Sequence, residues 1–130
     1  SNRYQERDKV RVYYELWYQP LRTLGSDPWM NDLITRCGGV NVFNHLLQSF
    51  PLISVEAVLA KDPDLILNPS SNRQQSWHDH WSEWPGLKAV KTGSVAYVNA
   101  DWIHRYTSRS IKGLQQLCEI IDEVRTKAKH

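Results

Sequence analysis

Hydrophobic and polar positions repeat with two different periods along the chain, and this pattern predicts an α/β fold. Runs rich in β-branched, aromatic and leucine residues predict strands at 10–17, 64–68 and 95–99, and a short extended piece at 41–43. The run at 10–17 alternates imperfectly, which is typical of a strand buried on both faces of a parallel sheet. We expect Pro20 and Pro69 to end the strands that precede them, because proline cannot donate to the hydrogen-bond ladder of a sheet.

Helical patterns fill the stretches between the strands. Asp27 precedes Pro28, and an Asp cap followed by proline at the first helical position is a strong helix start. The glycines at Gly38-Gly39 are the matching stop. The apolar face of this helix would consist of Met30, Leu33, Ile34 and Cys37. Trp29 lies off that face, so we expect it to contact something other than the core.

Three further helices are predicted after residue 53. Ser54 should cap one that stops at Asp62-Pro63. Three tryptophans at i, i+4, i+7 spacing predict a short helix, with at least two of the rings packed against the sheet: Trp77, Trp81 and Trp84. The last helix runs from about 107 to 127. Its inward stripe would consist of Ile111, Leu114, Leu117, Cys118, Ile121 and Val124.

Length and composition limit the classes of protein that fit this pattern. The 130 residues make one domain of ordinary size, and a hydrophobic fraction of 41% predicts a folded chain. A net charge of +2 is too small to indicate a nucleic-acid partner. No apolar run approaches the roughly 18 residues that a membrane span needs. We therefore expect a mostly parallel sheet flanked by helices over residues 10–130, preceded by a charged linker or helix end at 1–9.

A polar and aromatic loop follows the strand at 95–99, directly before the last helix. It contains Asp101, Trp102 and Arg105. Ligands of open α/β sheets bind just beyond the carboxyl ends of the strands, which is where this loop lies. From the residues alone, a turn cap at Asp101 and a core position for Trp102 are the stronger interpretation. Trp17 and Trp29 are balanced between lining the same edge and simple packing.

The cysteines and histidines leave more than one interpretation open. Cys37 and Cys118 both lie on the inward stripes of predicted helices, and this pattern fits two buried thiols as well as a disulfide. Two cysteines so far apart do not indicate a metal site. The triplet His78-Asp79-His80 does not indicate one either, because side chains at i and i+2 of a helix point to different sides. We expect that triplet to be a solvated surface cluster.

Four blocks of sequence occur in the same order as in one known family. They lie at 36–43, 53–66, 84–93 and 95–98, the first reading Arg-Cys-Gly-Gly-Val-Asn-Val-Phe. In their order and spacing, the chain resembles the periplasmic substrate-binding proteins of ABC importers for vitamin B12 and iron–siderophores. Asp101-Trp102 and the 104–109 run are most similar to the cobalamin-binding members.

The resemblance covers only the C-terminal lobe of such proteins, which have two α/β lobes joined by one long helix. It therefore implies a single three-layer α/β lobe whose N-terminal partner lobe is missing. Residues 1–9 would be the end of the joining helix, and residues 10–130 the C-terminal lobe.

The resemblance also implies roles for particular residues. Asp101 and Trp102 match a loop that touches the corrinoid, and Asp27 matches a carboxylate that docks on arginines of the membrane permease, although relatives commonly have Glu there. Arg22 stands where relatives often have an aromatic residue, which favours a more anionic ligand. The candidate ligand-binding residues are then Asp101, Trp102, Arg105, Trp17, Trp29 and Arg22. Cys37 and Cys118 match a disulfide pair of the vitamin B12 binding proteins, which favours the bridge.

The function that the resemblance implies is capture rather than catalysis. The lobe would bind cobalamin or a related corrinoid, without a cofactor, and deliver it to an ABC permease from the periplasm or from a lipid anchor outside the cytoplasm. An iron–siderophore or haem carrier is the near alternative, favoured by the anionic-ligand residues Arg22, Arg105 and Arg109. The alternatives from other classes are an α/β interaction module without a ligand and a small metal-dependent enzyme that uses His78, Asp79, His80 and His104.

Overall fold

The computed structural model describes residues 9–18, 20–70, 76–99 and 109–128. Five strands lie in these ranges: β1 Val10–Trp17, β2 Arg22–Thr23, β3 Gly39–Asn41, β4 Leu65–Ser70 and β5 Val95–Asn99. Four α-helices accompany them: α1 Pro28–Arg36, α2 Val55–Lys61, α3 Lys88–Lys91 and α4 Arg109–Ala128. A 3₁₀ helix, η1, spans Ser76–Glu83. None of the described helices is long and apolar enough to cross a membrane.

The sheet is mostly parallel, as the strand and helix alternation predicts. β1 pairs parallel with β3 on one side and with β4 on the other, and β4 pairs parallel with β5. The register places Val12 opposite Leu65 and Ile66 opposite Val95. The two-residue β2 adds an antiparallel pairing at the carboxyl end of β1, which no pattern in the sequence indicates.

Both faces of the sheet are buried, which explains the imperfect alternation of β1. Val12 and Tyr14 belong to one core cluster, which includes residues of α1 and α4, whereas Tyr13 belongs to a second cluster on the opposite face. The second cluster includes Val58 of α2 and Trp81 of η1. Two buried faces with helices on each make the three-layer α/β lobe that was expected.

Local capping signals give the helix starts that the sequence predicts. The carboxylate of Asp27 accepts a hydrogen bond from the backbone N–H of Met30 at 3.1 Å, with Pro28 in the first turn. The hydroxyl of Ser54 accepts from the backbone N–H of Ala57 at 3.1 Å. Asp62 ends α2 in the left-handed region with φ 48°, just before Pro63.

The disulfide between Cys37 and Cys118 is present and joins the end of α1 to the middle of α4. The two Cα atoms lie 4.7 Å apart, and the bridge closes a separation of 81 residues. The guanidinium of Arg125 reinforces this junction by donating to the carbonyl oxygens of Cys37 at 3.2 Å and Gly38 at 3.4 Å. Gly38 has φ +88°, and a Cβ there would meet the guanidinium, so the junction requires glycine.

Several sequence-based expectations are wrong in detail. Pro69 does not end its strand but lies inside β4, opposite Val98 of β5. Pairing with β1 stops at Leu67, so Pro69 occupies an edge position on that side, where no ladder donor is needed. The short strand lies at Gly39–Asn41 rather than 41–43. Ile111, predicted on the inward stripe of the last helix, is exposed.

Candidate functional site

The carboxyl ends of β1, β4 and β5 form one edge of the sheet, called here the carboxyl edge. The three strands end there at Trp17, Ser70 and Asn99. α2 also begins at this edge, since the backbone N–H of Ile53 donates to the carbonyl oxygen of Leu21 at 3.1 Å, whereas the far end of α2 contacts the start of β1. Open α/β sheets bind ligands at this edge.

Four side chains at the carboxyl edge, the edge cluster, present an exposed surface: Trp17, Arg22, Phe50 and Leu52. Trp17 is 55% exposed, Phe50 44% and Leu52 57%. Backbone pairing brings them to one place, because Arg22 lies opposite Trp17 in the β1–β2 pair and opposite Leu52 in an isolated bridge. The guanidinium of Arg22 donates to the carbonyl oxygen of Phe50 at 2.8 Å. A cation flanked by exposed apolar and aromatic groups suits a large ligand that carries both apolar surface and acceptors.

The segment that carries Phe50 and Leu52 is held against the chain before α1 by backbone contacts. The N–H of Gly25 donates to the carbonyl oxygen of Ser49 at 2.7 Å, and the N–H of Ser26 donates to that of Gln48 at 3.0 Å. A Cβ at Gly25 would lie 2.1 Å from the carbonyl oxygen of Gln48, so only glycine permits this approach. The position of Phe50 therefore depends on Gly25.

The residues predicted for the site have different outcomes. The structure brings Trp17 and Arg22 together at the carboxyl edge. Trp29 is partly buried against the core cluster that includes α1 and α4, so the expectation that it avoids the core is wrong. Asp27 is half-buried and serves as the cap of α1. Three of the predicted residues lie outside the described ranges: Asp101, Trp102 and Arg105. The side chain of Arg109 is not among the described ones either.

Sequence reasoning missed Phe50 and Leu52 as candidate site residues. The available signal was an apolar Phe-Pro-Leu run in a stretch that no periodic element claims, directly before the cap at Ser54. Such a run in a loop has no helix or strand to bury it, and exposed apolar loop residues are candidates for binding.

A buried polar network, the Glu15 network, lies directly beneath the carboxyl edge. Glu15 is fully buried, and its carboxylate accepts hydrogen bonds from Nε2 of His80 at 3.0 Å and Nε1 of Trp81 at 3.0 Å. It also accepts from Nδ2 of Asn68 at 2.8 Å and from the hydroxyl of Tyr13 at 3.4 Å. Burial, together with the negative charge of Glu15, raises the pKa of the Tyr13 hydroxyl. Tyr13 therefore remains a proton donor to the carboxylate.

The network corrects the prediction of a solvated His78-Asp79-His80 cluster for His80 alone. The side chain of His80 is only 10% exposed and is paired with Glu15. The reason is that Glu15, 65 residues earlier in the chain, provides a buried partner for the imidazole, which no local pattern indicates. The side chains of His78 and Asp79 lie outside the described residues. Within the described part of the chain, no group of three or more His, Cys, Asp or Glu side chains could hold a metal ion.

Trp81 of η1 and Trp84, which directly follows η1, pack inward as expected, although the helix is of a different type. Trp81 is fully buried in the second core cluster, which also contains Tyr13, and Trp84 is partly buried against that cluster. The side chain of Trp77 lies outside the described residues.

Comparisons with known proteins find similar sequences along most of the chain, and the similar proteins are of one kind. The family model for periplasmic binding proteins matches residues 2–102. The vitamin B12-binding protein of Vibrio campbellii is 32% identical over 128 residues, which is 98% of this chain and 46% of that protein. The vitamin B12-binding protein of Vibrio cholerae is 34% identical over 116 residues, which is 88% of this chain and 41% of that protein. The chain thus spans less than half the length of these curated relatives.

Solved structures share the fold. The periplasmic vitamin B12 binding protein BtuF of Vibrio cholerae superimposes with a TM-score of 0.80 at 29% identity, over 95% of this chain and 48% of that one. The periplasmic haem binding protein HutB of Vibrio cholerae superimposes with a TM-score of 0.74 at 15% identity, over 88% of this chain and 48% of that one. At 15% identity the second likeness concerns the fold alone.

Proposed function

The chain belongs to the periplasmic binding protein family, and from this premise we propose that it is one lobe of the substrate-binding component of an ABC importer for cobalamin or a related corrinoid. The observation that carries the proposal is the edge cluster in a chain whose relatives are vitamin B12-binding proteins. Exposed aromatic and apolar groups at the carboxyl ends of the strands are what an open α/β lobe needs to hold half of a large ligand.

The groups of the edge cluster match the chemistry of a corrinoid. The macrocycle is a large, nearly flat surface, on which the rings of Trp17 and Phe50 pack. Peripheral amides carry carbonyl oxygens that accept hydrogen bonds from the guanidinium of Arg22. Asp101 and Trp102, which follow β5 in the sequence, are the further residues of the proposed site. The role is binding rather than catalysis.

The compartment and the need for a second lobe follow from the same proposal. A disulfide that spans most of the lobe suits an oxidising compartment, which supports a periplasmic or extracytoplasmic location. The ligand would be captured between this lobe and a second lobe that corresponds to the rest of the relatives' length. One lobe offers only part of the contact surface, so we expect weak affinity from the lobe alone.

Tryptophan fluorescence against rising cyanocobalamin tests the ligand assignment. With correction for corrinoid absorbance, we expect saturable quenching of the wild-type chain. The apparent affinity for cyanocobalamin should fall roughly tenfold in Trp17→Ala and in Trp102→Ala, since each substitution removes an aromatic contact. Lys127→Ala is the control, because Lys127 is exposed at the far end of α4 and contacts the carbonyl oxygen of Gly93 before β5, away from the carboxyl edge. The measurement is repeated with a second lobe joined to the chain. Absence of quenching in that two-lobed form would exclude the corrinoid.

An anionic ligand is the alternative that Arg22 favours. Its guanidinium is exposed at the centre of the edge cluster, and Arg105 would add a second cation. In the same fluorescence assay, a ferric hydroxamate siderophore or haem that binds more tightly than cyanocobalamin, and loses that advantage in Arg22→Gln, would identify the chain as an iron–siderophore or haem carrier.

The proposed docking role of Asp27 can be separated from its capping role. Asp27→Ser keeps an acceptor for the N–H of Met30 but removes the charge, whereas Asp27→Ala removes both and should cost about 1 kcal/mol of stability. If the carboxylate docks on permease arginines, both variants bind the permease more weakly in a pull-down, although Asp27→Ser remains as stable as the wild type.

Glu56 is the comparison carboxylate for that docking experiment. It is exposed in the first turn of α2, where Ser54 already provides the cap, and α2 begins at the same carboxyl edge. A loss of docking in Glu56→Gln, with none in Asp27→Ser, would transfer the docking role from Asp27 to Glu56.

A further inference from the structure

The Glu15 network is more elaborate than packing requires. A fully buried carboxylate is costly unless it is paired and hydrogen-bonded, and a hydrophobic side chain of similar volume is often more stabilising at such a place. Here one carboxylate receives donors from three elements: Tyr13 of β1, Asn68 of β4, and His80 and Trp81 of η1. Glu15 also lies two residues before the exposed Trp17 on the same strand.

Asn68 shows that orientation of this carboxylate takes precedence over full hydrogen bonding. Its Nδ2 donates both to Oε1 of Glu15 at 2.8 Å and to the backbone carbonyl oxygen of Glu15 at 3.3 Å. Its Oδ1 is buried and has no hydrogen-bond partner among the residues that the structure describes. A buried orphan acceptor is rare and costs free energy. The amide is therefore held in the orientation that the carboxylate needs.

The network extends to the surface through His80. One face of its imidazole stacks on the ring of Tyr18, with centroids 4.0 Å apart and planes inclined by 25°. Tyr18 is half-buried and follows Trp17 at the carboxyl edge. A continuous chain of contacts therefore runs from Glu15 through His80 to Tyr18, beside the edge cluster.

The 3₁₀ helix depends on these side-chain contacts. η1 is eight residues long, whereas 3₁₀ runs longer than three or four residues are uncommon because their hydrogen bonds have poor geometry. Among its described side chains, His80 and Trp81 both bond to Glu15. The carboxylate thus ties η1 to β1 and β4 at the level of the edge.

We infer that Glu15 is a positioning residue for the ligand-binding edge: it fixes η1 against the sheet and, through His80, holds the ring of Tyr18 beside Trp17 as part of the wall that faces the ligand. This inference rests on the proposed function, because it assigns Glu15 and Tyr18 to the same binding edge. Glu15 itself touches no ligand.

Glu15→Gln is the conservative test. Glutamine has one acceptor oxygen where glutamate has two, so it cannot accept from Asn68 on one side and from His80 and Trp81 on the other. We expect Glu15→Gln to lower the affinity of the two-lobed form for cyanocobalamin roughly tenfold, and Tyr18→Leu to lower it by a similar factor. The double variant should lose little more affinity than either single variant, because both substitutions break the same chain of contacts. Val124→Ala is the control, because it removes buried apolar surface from α4, in the core on the opposite face of the sheet.

The control separates positioning from stability. A merely structural Glu15 would lower stability in both Glu15→Gln and Val124→Ala while leaving the affinity of the folded fraction unchanged in both. That result would overturn the inference. His80→Ala breaks the same chain of contacts at a less buried residue, so it carries the test if Glu15→Gln does not fold.

A ligand-free measurement tests the positioning of Tyr18 by Glu15 separately from the proposed function. In NMR spectra of the wild-type chain, we expect nuclear Overhauser effects between the rings of Tyr18 and His80, and slow hydrogen exchange at Nε1 of Trp81. In Glu15→Gln both should be lost. If they persist, Glu15 does not position the edge. If they are lost but no variant or wild type binds cyanocobalamin, the ligand proposal fails while the positioning of Tyr18 stands.

Discussion

Removal of the Cys37–Cys118 bridge, by the double substitution Cys37→Ala and Cys118→Ala, is expected to lower the free energy of unfolding by about 4–5 kcal/mol. The bridge closes a separation of 81 residues, and in the chain-entropy model a loop of that length restricts the unfolded state by about this amount. A small domain has a net stability of only about 5–15 kcal/mol, so the loss is a large part of the whole. Urea denaturation of both proteins measures it.

The native state should survive this substitution with little change. Arg125 still joins α4 to the carbonyl oxygens of Cys37 and Gly38, and Leu117 and Ile121 remain buried in the core around the junction. The effect should therefore act chiefly on the unfolded chain. Addition of dithiothreitol provides the control, since it should destabilise the wild type to the level of the double variant and leave that variant unchanged. A difference below about 1 kcal/mol between the oxidised wild type and the variant would contradict the expectation.

Features set by neighbouring residues in the chain were predictable from the sequence. Asp27 and Ser54 cap α1 and α2 because their side-chain oxygens reach N–H groups only three residues ahead. The strand at Val10–Trp17 and its burial on both faces follow from its own composition. The parallel α/β architecture follows from the order of such elements. The pairing of Cys37 with Cys118 was open from the pattern, and the family resemblance favoured it correctly.

Features set by distant residues were not predictable in the same way. Pro69 continues β4 because β1 no longer pairs with it there, a fact about register rather than about proline. The side chain of His80 is only 10% exposed because Glu15, 65 residues earlier, provides its partner. Two-residue β2 has too few residues to show any period.

The candidate site was predicted in part for the same reasons. Trp17 lies at the end of its strand, as the pattern predicts, and Arg22 lies opposite it in β2, whereas the binding roles of both stay predictions. Phe50 and Leu52 were missed because backbone contacts of Gly25, not a periodic pattern, bring their loop to the edge. The proposed roles of Asp101, Trp102 and Arg105 stay predictions, since these residues lie outside the described ranges.

Trp81→Ala is expected to destabilise the protein by about 5 kcal/mol, the upper end of the range for removal of a buried aromatic ring. Trp81 is fully buried, and its ring packs edge-on against Tyr13 with centroids 5.8 Å apart. Its Nε1 also donates to the buried carboxylate of Glu15. Alanine therefore leaves a cavity and removes one donor from a charge that cannot reach water.

Trp81→Phe separates these two contributions, because phenylalanine fills much of the volume but has no N–H to donate. We expect it to cost about 1–3 kcal/mol, the penalty for removing one hydrogen-bond partner of a buried group. Guanidinium denaturation followed by far-ultraviolet circular dichroism measures both variants without reliance on tryptophan emission. If Trp81→Phe were as stable as the wild type, the bond to Glu15 would contribute nothing net, and His80 and Asn68 alone would satisfy the carboxylate. A cost for Trp81→Phe equal to that of Trp81→Ala would instead place the whole effect in the hydrogen bond and none in packing.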